Sequence, residues 1–380
     1  MSRSHPIISI TGSSGAGTTS VKKTFGHIFR REKVSAAYIE GDAFHRYNRV
    51  EMRTKMAEEG ERGNKHFSHF SPETNLFEEL ERVFRDYGES GTGTTRHYVH
   101  DEDEAKLYGA EPGTFTEWGP LPESSDLLFY EGLHGAVVTE KVNIAQYADL
   151  KIGVVPVINL EWIQKLHRDR SDRGYSAEAV TDTILRRMPD YVNYICPQFA
   201  DTDINFQRVP TVDTSNPFIA RWIPTPDESM VVIRLKNPRG IDFPYLLSMI
   251  PNSFMSRANS IVIHGSKLDL AMQLILTPLI LQLMERKRRT VSVFMLSLHS
   301  PVIRLSRIRK WPMRSAFWRS TRSRRRSRVI RACRWAWPTW PRCCSRAFSN
   351  STRPIRRGRI ATVSSYPPVT ARCCCMHCCT

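Results

Sequence analysis

At 380 residues, 41% of them hydrophobic, the chain is long enough for two or three domains and a sizeable buried core. Its formal charge of +17 would suggest a nucleic-acid or membrane-surface partner, but that charge is confined to one end. Residues 1–289 carry 35 Lys and Arg against 38 Asp and Glu, a net of −3; residues 290–380 carry 19 Arg, one Lys and no acid, a net of +20.

Cysteine divides the same way. Cys196 alone precedes residue 290, and eight follow, five of them in CCCMHCC at the end. The body therefore reads as a cytoplasmic protein of a reducing compartment, without a disulfide framework. No secretory signal is expected from MSRSHPIISITG. The most apolar run, LDLAMQLILTPLILQLM (268–284), contains Asp269, Gln273, Pro278 and Gln282, and reads as a core helix rather than a membrane span. Three readings fit residues 290–380: a basic tail, a Cys/His metal module, or translation of a GC-rich gene out of frame. Five Trp and eight Cys without one acid do not suit an RNA-binding tail, and CCCMHCC crowds metal ligands instead of spacing them. The out-of-frame reading is preferred, so fold and function are expected from residues 1–289.

Along the body, PIISIT (6–11) reads as a strand and residues 19–32 as a helix. SAAYIEGD (35–42) is a second strand ending in an acid. SPETNLFEELERVFRDYG (71–88) reads as one helix capped by Ser71, with Pro72 in its first turn and Gly88 as its stop. DLLFYEG (126–132) and DLKIGVVPVIN (149–159) have the continuous apolar character of strands covered on both faces. Helices follow at 159–172 and 177–195, then strands in NFQRVPTV, MVVIRLKN and NSIVIHG, and a closing helix at 267–286. Alternation of strand and helix predicts an α/β fold with a mostly parallel sheet, helices on both faces and additional antiparallel strands.

The chemistry begins at GSSGAGTTS. A glycine-rich turn between a strand and a helix aims backbone N–H groups at an anion, so Gly12, Ser13, Ser14, Gly15, Ala16, Gly17, Thr18, Thr19 and Ser20 are expected around the phosphates of a nucleotide. Thr18 or Thr19 would supply the hydroxyl for Mg²⁺. Thr18 occupies the place where such loops usually carry lysine, so the positive charge must come from elsewhere. Asp42, at the carboxyl end of the second strand, is placed to accept a proton from an attacking hydroxyl; the alternative is a helix cap. His45, Arg46 and Arg49 follow as a cradle for an anionic substrate. Glu131 ends a hydrophobic strand, where an acid contacts Mg²⁺ or its water. In EWIQKLHRDRSDRGYS (161–176), Lys165, Arg168, Asp169 and Asp172 share one helical face. That face could close over the phosphates as a lid and supply the missing charge, or it could be an ordinary solvated helix surface.

GSSGAGTTS, IEGDAFHR, FSHFSPE, YVHDEDEA, LLFYEGLHGA, INLEWIQKLHRD, DTDINFQRVPTVDTSNPFIARWIP and NPRGIDFPYL together resemble bacterial phosphoribulokinases, phosphate-loop kinases related to uridine kinase. The resemblance covers residues 1–289, and the threonine in the loop is itself part of the bacterial pattern. It implies ATP- and Mg²⁺-dependent phosphorylation of the C1 hydroxyl of D-ribulose 5-phosphate for carbon dioxide fixation. Carried over by position, Asp42 is the base, and Glu131 and Asp169 serve Mg²⁺ or the reacting phosphate. Lys165 matches the catalytic lysine, and Arg168 and Arg173 belong to the lid. His45, Arg49, Tyr98 and His100 contact the sugar phosphate. The resemblance further implies a homo-octamer activated by NADH through Arg31, Arg234 and Arg257, each of which could equally be a surface salt-bridge residue. Ala16 stands where plant-type members carry a redox cysteine, so no thiol switch is expected in the body. The alternatives are a uridine-kinase-like nucleoside kinase, for which so many basic residues around the acceptor would be superfluous, and a nucleic-acid-binding protein acting through the tail.

Overall fold

The structure, a computed structural model, describes residues 5–13, 18–155, 157–171 and 174–298, with side chains as far as Arg288 except those of Thr19 and Ser20. All of these lie in one compact unit, Met1–Arg304; the second unit, Leu305–Thr380, lies outside the described residues.

In chain order, β1 (Ile7–Thr11) leads to α1 (Thr18–Glu32) and β2 (Ala36–Glu40), and then to α2 (Arg49–Glu61) and α3 (Phe77–Ser90). A small excursion contains β3 (Thr94–Thr95), α4 (Glu102–Tyr108) and β4 (Gly119–Pro120). The main sheet resumes with β5 (Leu127–Gly132) and β6 (Leu150–Val155), followed by α5 (Ile158–Ser171), α6 (Ala177–Asp190) and α7 (Gln198–Asp201). The remainder is β7 (Ile204–Pro210), β8 (Ser229–Leu235), α8 (Phe243–Met249), β9 (Phe254–Arg257), β10 (Ser260–His264) and α9 (Leu268–Leu298).

Eight strands form one sheet in the order β2-β5-β1-β6-β7-β8-β10-β9. The first five are parallel, and β8, β10 and β9 extend the sheet antiparallel. This is the α/β arrangement expected from the sequence. Both faces are covered because adjacent residues of each strand point to opposite sides. On β1 and β5, Ile8, Ile10, Leu127 and Phe129 face one core with Val21, Phe25, Ile28 and Phe29 of α1 and the buried stripe of α9. Ile7, Leu128 and Tyr130 face the other, with Phe77, Leu80, Val83 and Phe84 of α3. Truncating a side chain such as Leu80, 1% exposed, to alanine costs about 2–5 kcal/mol because close-packed neighbours refill the space only in part.

Three elements differ from the sequence expectation. Residues 71–88 are not one helix: Pro72–Thr74 is a single 3₁₀ turn and α3 starts at Phe77. The chain breaks because Asn75 pairs with His45 and the Leu76 amide donates to Phe44 O at 2.8 Å. α3 also runs through the buried Gly88 and stops at Gly91, which takes a left-handed φ of 74°. The second helix after β6 ends at Asp190 and passes into a π-helical turn, Tyr191–Ile195, next to Pro189. α9 runs to Leu298, beyond the expected end at 286 and beyond the boundary placed at residue 289. The helical run Gly265–Arg288, a 3₁₀ turn leading into α9, is long and apolar enough to cross a membrane, but Ala271, Met272, Ile275, Leu276, Ile280, Leu283 and Met284 pack into the core beside α1. The length of that run thus comes from a core helix.

Candidate active site

The parallel strands β2, β5, β1 and β6 all end on one edge, where the glycine-rich loop and Asp42 lie just past the strand ends and Glu131 stands at the end of β5. Glu40 and Glu131 are register partners at the ends of β2 and β5. At the end of β1, Gly12 packs so closely that a Cβ there would meet Thr18 Cγ2 at 2.7 Å and Val154 Cβ at 3.1 Å, so only glycine lets the loop leave the sheet here. Thr11 Oγ1 and Ser13 Oγ are buried without a hydrogen-bond partner. α1 then begins at Thr18, its N-terminus directed at the loop. Ser14, Gly15, Ala16 and Gly17 lie outside the described residues, as do the side chains of Thr19 and Ser20.

Asp42 does not cap a helix. It sits in a 3₁₀ turn, Gly41–Phe44, with its carboxylate between two imidazoles: His45 Nε2 is 3.2 Å from Oδ1 and His100 Nε2 is 3.6 Å from Oδ2. Burial pushes the carboxyl upward, but the hydrogen bond and charge of His45, with His100 and His69 behind it, outweigh that and hold it well below the usual carboxylate range. Asp42 is therefore an anion at neutral pH. Its turn is fixed from outside by Arg96, which donates to Ala43 O at 2.8 Å and His45 O at 2.6 Å and lies over the Phe115 ring at 3.7 Å.

Arg49 is the first residue of α2, whose N-cap Asn48 forms a capping box with Glu51. From there Arg49 Nη2 donates to His100 O at 2.9 Å, joining two segments far apart in sequence. Tyr98 packs edge-on against His100, with centroids 4.9 Å apart. The expected cluster of Asp42, His45, Arg49, Tyr98 and His100 is thus assembled. Arg46 does not join it: its guanidinium donates to Glu73 O and Asn75 O, a structural role.

α5 departs from the alternative of an ordinary solvated helix surface. Lys165 and Asp169 are 8% and 4% exposed, joined to each other by a hydrogen bond, and Arg168 Nη2 lies 3.2 Å from Asp169 Oδ1. Burial and the Arg187 charge pull the Lys165 ammonium down to about 8, against the opposing hydrogen bond to Asp169. The pair faces a cavity of about 230 Å³ bounded by Ser68, His69, Tyr175, Arg186 and Arg187. Asp172 and Arg173, expected beside them, lie outside the described residues. Glu131 is raised above its usual value by burial, with a hydrogen bond from Thr18 and the Lys22 charge working against that.

Several residues here were not singled out from the sequence. Arg96, Asn75 and His69 fix the surroundings of His45. Glu161, also buried, accepts from Tyr191 Oη at 3.1 Å and is raised above its usual value by burial. His134, neutral because burial lowers it to about 3, is held by Phe70 O at 3.2 Å. Only Arg96 left a usable signal, a basic residue next to YVH with the aromatics Phe115 and Trp118 downstream.

Of the three arginines grouped as an effector site, Arg234 and Arg257 line one cleft of about 570 Å³ with Asn205, Gln207 and Asn259. Arg31 does not line it; its guanidinium donates to Glu32, Gln273 and Thr277.

Known proteins resemble this chain. The profile of the Phosphoribulokinase / Uridine kinase family matches residues 7–215. A phosphoribulokinase of Nitrobacter vulgaris is 86% identical over 289 residues, 76% of this chain and 100% of the relative. The chromosomal phosphoribulokinase of Cupriavidus necator is 70% identical over 289 residues, 76% of this chain and 99% of the relative. The solved phosphoribulokinase from Rhodobacter spheroides superposes with a TM-score of 0.70 at 66% identity, covering 75% of this chain and 99% of that one. With the family profile matched over more than half its length and such relatives matched almost end to end, the chain belongs to the phosphoribulokinase/uridine kinase family.

Proposed function

We propose that the chain is an ATP-dependent kinase that phosphorylates the C1 hydroxyl of D-ribulose 5-phosphate to ribulose 1,5-bisphosphate, feeding carbon dioxide fixation. The observation that carries this reading is the Asp42 carboxylate held between His45 and His100 with Arg49 bound to the same segment. Asp42 takes the proton of the C1 hydroxyl as its oxygen bonds to the γ-phosphorus and ADP leaves. The cationic and imidazole groups around it suit an acceptor that already carries a phosphate; an uncharged nucleoside would offer them no charge to balance. The relatives named phosphoribulokinase favour the same choice. Purified protein with ATP is expected to turn over ribulose 5-phosphate and not uridine; the opposite preference would establish the nucleoside-kinase alternative.

ATP fits the loop: Thr11 Oγ1 and Ser13 Oγ are buried polar atoms without partners beside a helix N-terminus. Lys165 and Arg168 are the cations proposed to replace the loop lysine. For Mg²⁺, Thr19, Glu131 and Asp169 are the proposed groups. No three His, Cys, Asp or Glu form a ready cage among the described residues, which suits an ion that keeps waters and leans on substrate phosphates. When bound, Mg²⁺ neutralises charge on the transferring phosphoryl group.

The cleft of Arg234 and Arg257 is the proposed seat of NADH as an activator, with Arg31 contributing from outside it. Fluorescence titration of NADH against Arg257→Gln tests this, with unchanged affinity counting against it. A cytoplasmic homo-oligomer, an octamer by resemblance, completes the proposal; light scattering gives its size. Residues 290–380 are proposed to add nothing to the activity, because relatives are matched almost end to end within 289 residues.

A further inference from the structure

Among the described residues, four buried side-chain polar atoms have no hydrogen-bond partner, and two of them, His69 Nδ1 and Arg186 Nε, belong to residues lining the cavity in front of Lys165. His69 is the more informative. Its ring lies against that of His45, centroids 4.7 Å apart, on the side of Asp42, and it faces the cavity bounded by Lys165 and Asp169 on the other. It therefore stands between the group that takes the acceptor's proton and the cation proposed for the phosphoryl group.

The two ring nitrogens are not equivalent. Nδ1 is enclosed and unpartnered. His69 lines the cavity, and with Nδ1 enclosed, Nε2 is the nitrogen left through which the ring can meet a ligand there. Burial, together with the charges of His45 and Arg187 and against that of Asp42, lowers the imidazole well below its ordinary value, so one proton is shared between two positions. A proton on Nδ1 would bury an N–H with no acceptor, whereas a proton on Nε2 meets water or ligand oxygen in the cavity. The favoured tautomer presents Nε2–H to the cavity. The ring is held there through its own backbone, because His69 O accepts from Asn75 Nδ2 at 2.9 Å, and Asn75 also holds His45.

We propose that His69 is a binding residue for the acceptor sugar, its Nε2–H donating to a sugar oxygen next to the reacting hydroxyl, on the side that faces Lys165. This rests on the kinase reading above. A neutral donor suits this place: it orients a hydroxyl or carbonyl oxygen without competing for the phosphate that the arginine and histidine cluster holds.

The test is steady-state kinetics of wild type, His69→Ala, His69→Gln and His69→Asn, with ribulose 5-phosphate and ATP varied separately and melting temperatures recorded. Glutamine extends its amide nitrogen to about the reach of Nε2, whereas asparagine reaches only about as far as Nδ1. Loss of one neutral hydrogen bond predicts a KM for ribulose 5-phosphate raised by about tenfold in His69→Ala, with the KM for ATP within about twofold of wild type. His69→Gln should recover most of that loss and His69→Asn should not, a split that a packing role would not produce. Should His69→Ala fail to fold, the glutamine–asparagine comparison carries the test. An unchanged sugar KM, an equal rise in both KM values, or indistinguishable glutamine and asparagine variants would overturn the role of His69 while leaving the kinase reading standing. A wild type inert toward ribulose 5-phosphate would overturn that reading itself, before any variant is compared.

Discussion

Asn75 Oδ1 accepts from His45 Nδ1 at 2.9 Å, and this bond decides which way the imidazole beside Asp42 faces. The assignment follows from the amide's other end: Asn75 Nδ2 donates to His69 O at 2.9 Å and to Ser71 O at 2.7 Å, so only the oxygen is left for His45. With Nδ1 so engaged, Nε2 is directed at Asp42. Replacing Asn75 by leucine strands buried carbonyls and releases His45. A loss of about 1–3 kcal/mol is expected for a buried group left unpaired, measured by urea unfolding. The Asp42 carboxyl, lowered in the folded protein, contributes stability that is present above its ordinary range and lost as pH falls below it. In Asn75→Leu the folded carboxyl is less lowered, so that acid loss should be smaller and complete at higher pH; an unchanged acid limb would contradict the coupling.

Asp42→Asn keeps the shape of the turn and removes the base. Turnover should fall by about two to four orders of magnitude with ATP affinity nearly kept. A folded Asp42→Asn protein of near-normal turnover would remove Asp42 from the chemistry.

Lys165 provides a pH signature. Its ammonium loses its proton at about 8 in the folded protein, against an ordinary value of 10.5. Turnover that needs the cation should therefore decline as pH rises through about 8. Stability moves the other way: between the folded and ordinary values the unfolded chain binds more protons, so this group's cost to folding is relieved as pH rises. Lys165→Arg stays charged and should lose the alkaline limb, whereas Lys165→Met should lower turnover at all pH values by about 10²–10³-fold. An alkaline limb that survives in Lys165→Arg would belong to another group.

Gly113 has a φ of 88°, its carbonyl accepts from the Arg49 amide at 2.9 Å, and a Cβ there would meet Arg49 Cβ at 2.9 Å. Gly113→Ala combines left-handed strain with a displaced Arg49. The KM for ribulose 5-phosphate should rise while that for ATP stays, as measured by initial rates. If both stay constant, Arg49 does not hold the sugar phosphate.

A chain ending at Arg289 keeps every site residue named above and sheds the +20 segment. It should retain turnover and melting temperature, although α9 loses its last turns. The full chain should bind heparin in a salt-sensitive way that the shorter one lacks. Loss of folding on truncation would make the terminal residues a structural part of the enzyme.

The local signals in the sequence carried the architecture. Apolar runs such as IISIT and LLFYEG, short and rich in β-branched or aromatic residues, read as strands covered on both faces, and the glycine-rich turn after the first of them marks the phosphate loop without any tertiary information. Asp42, His45, Arg49, His100 and Lys165 could be singled out from the sequence as candidates, in part from spacing and in part from resemblance. Packing decided the rest. The face of Lys165 and Asp169 looks solvated by helical spacing, yet it is buried, because α6 and the segment around His69 close against it, and no periodicity within one helix records what another segment covers. Asn75 and His69 were illegible, and Arg96 left only a faint signal, for a related reason. Each acts through hydrogen bonds or ring contacts to residues more than a helix-length away in sequence, and only the folded chain brings those partners within reach.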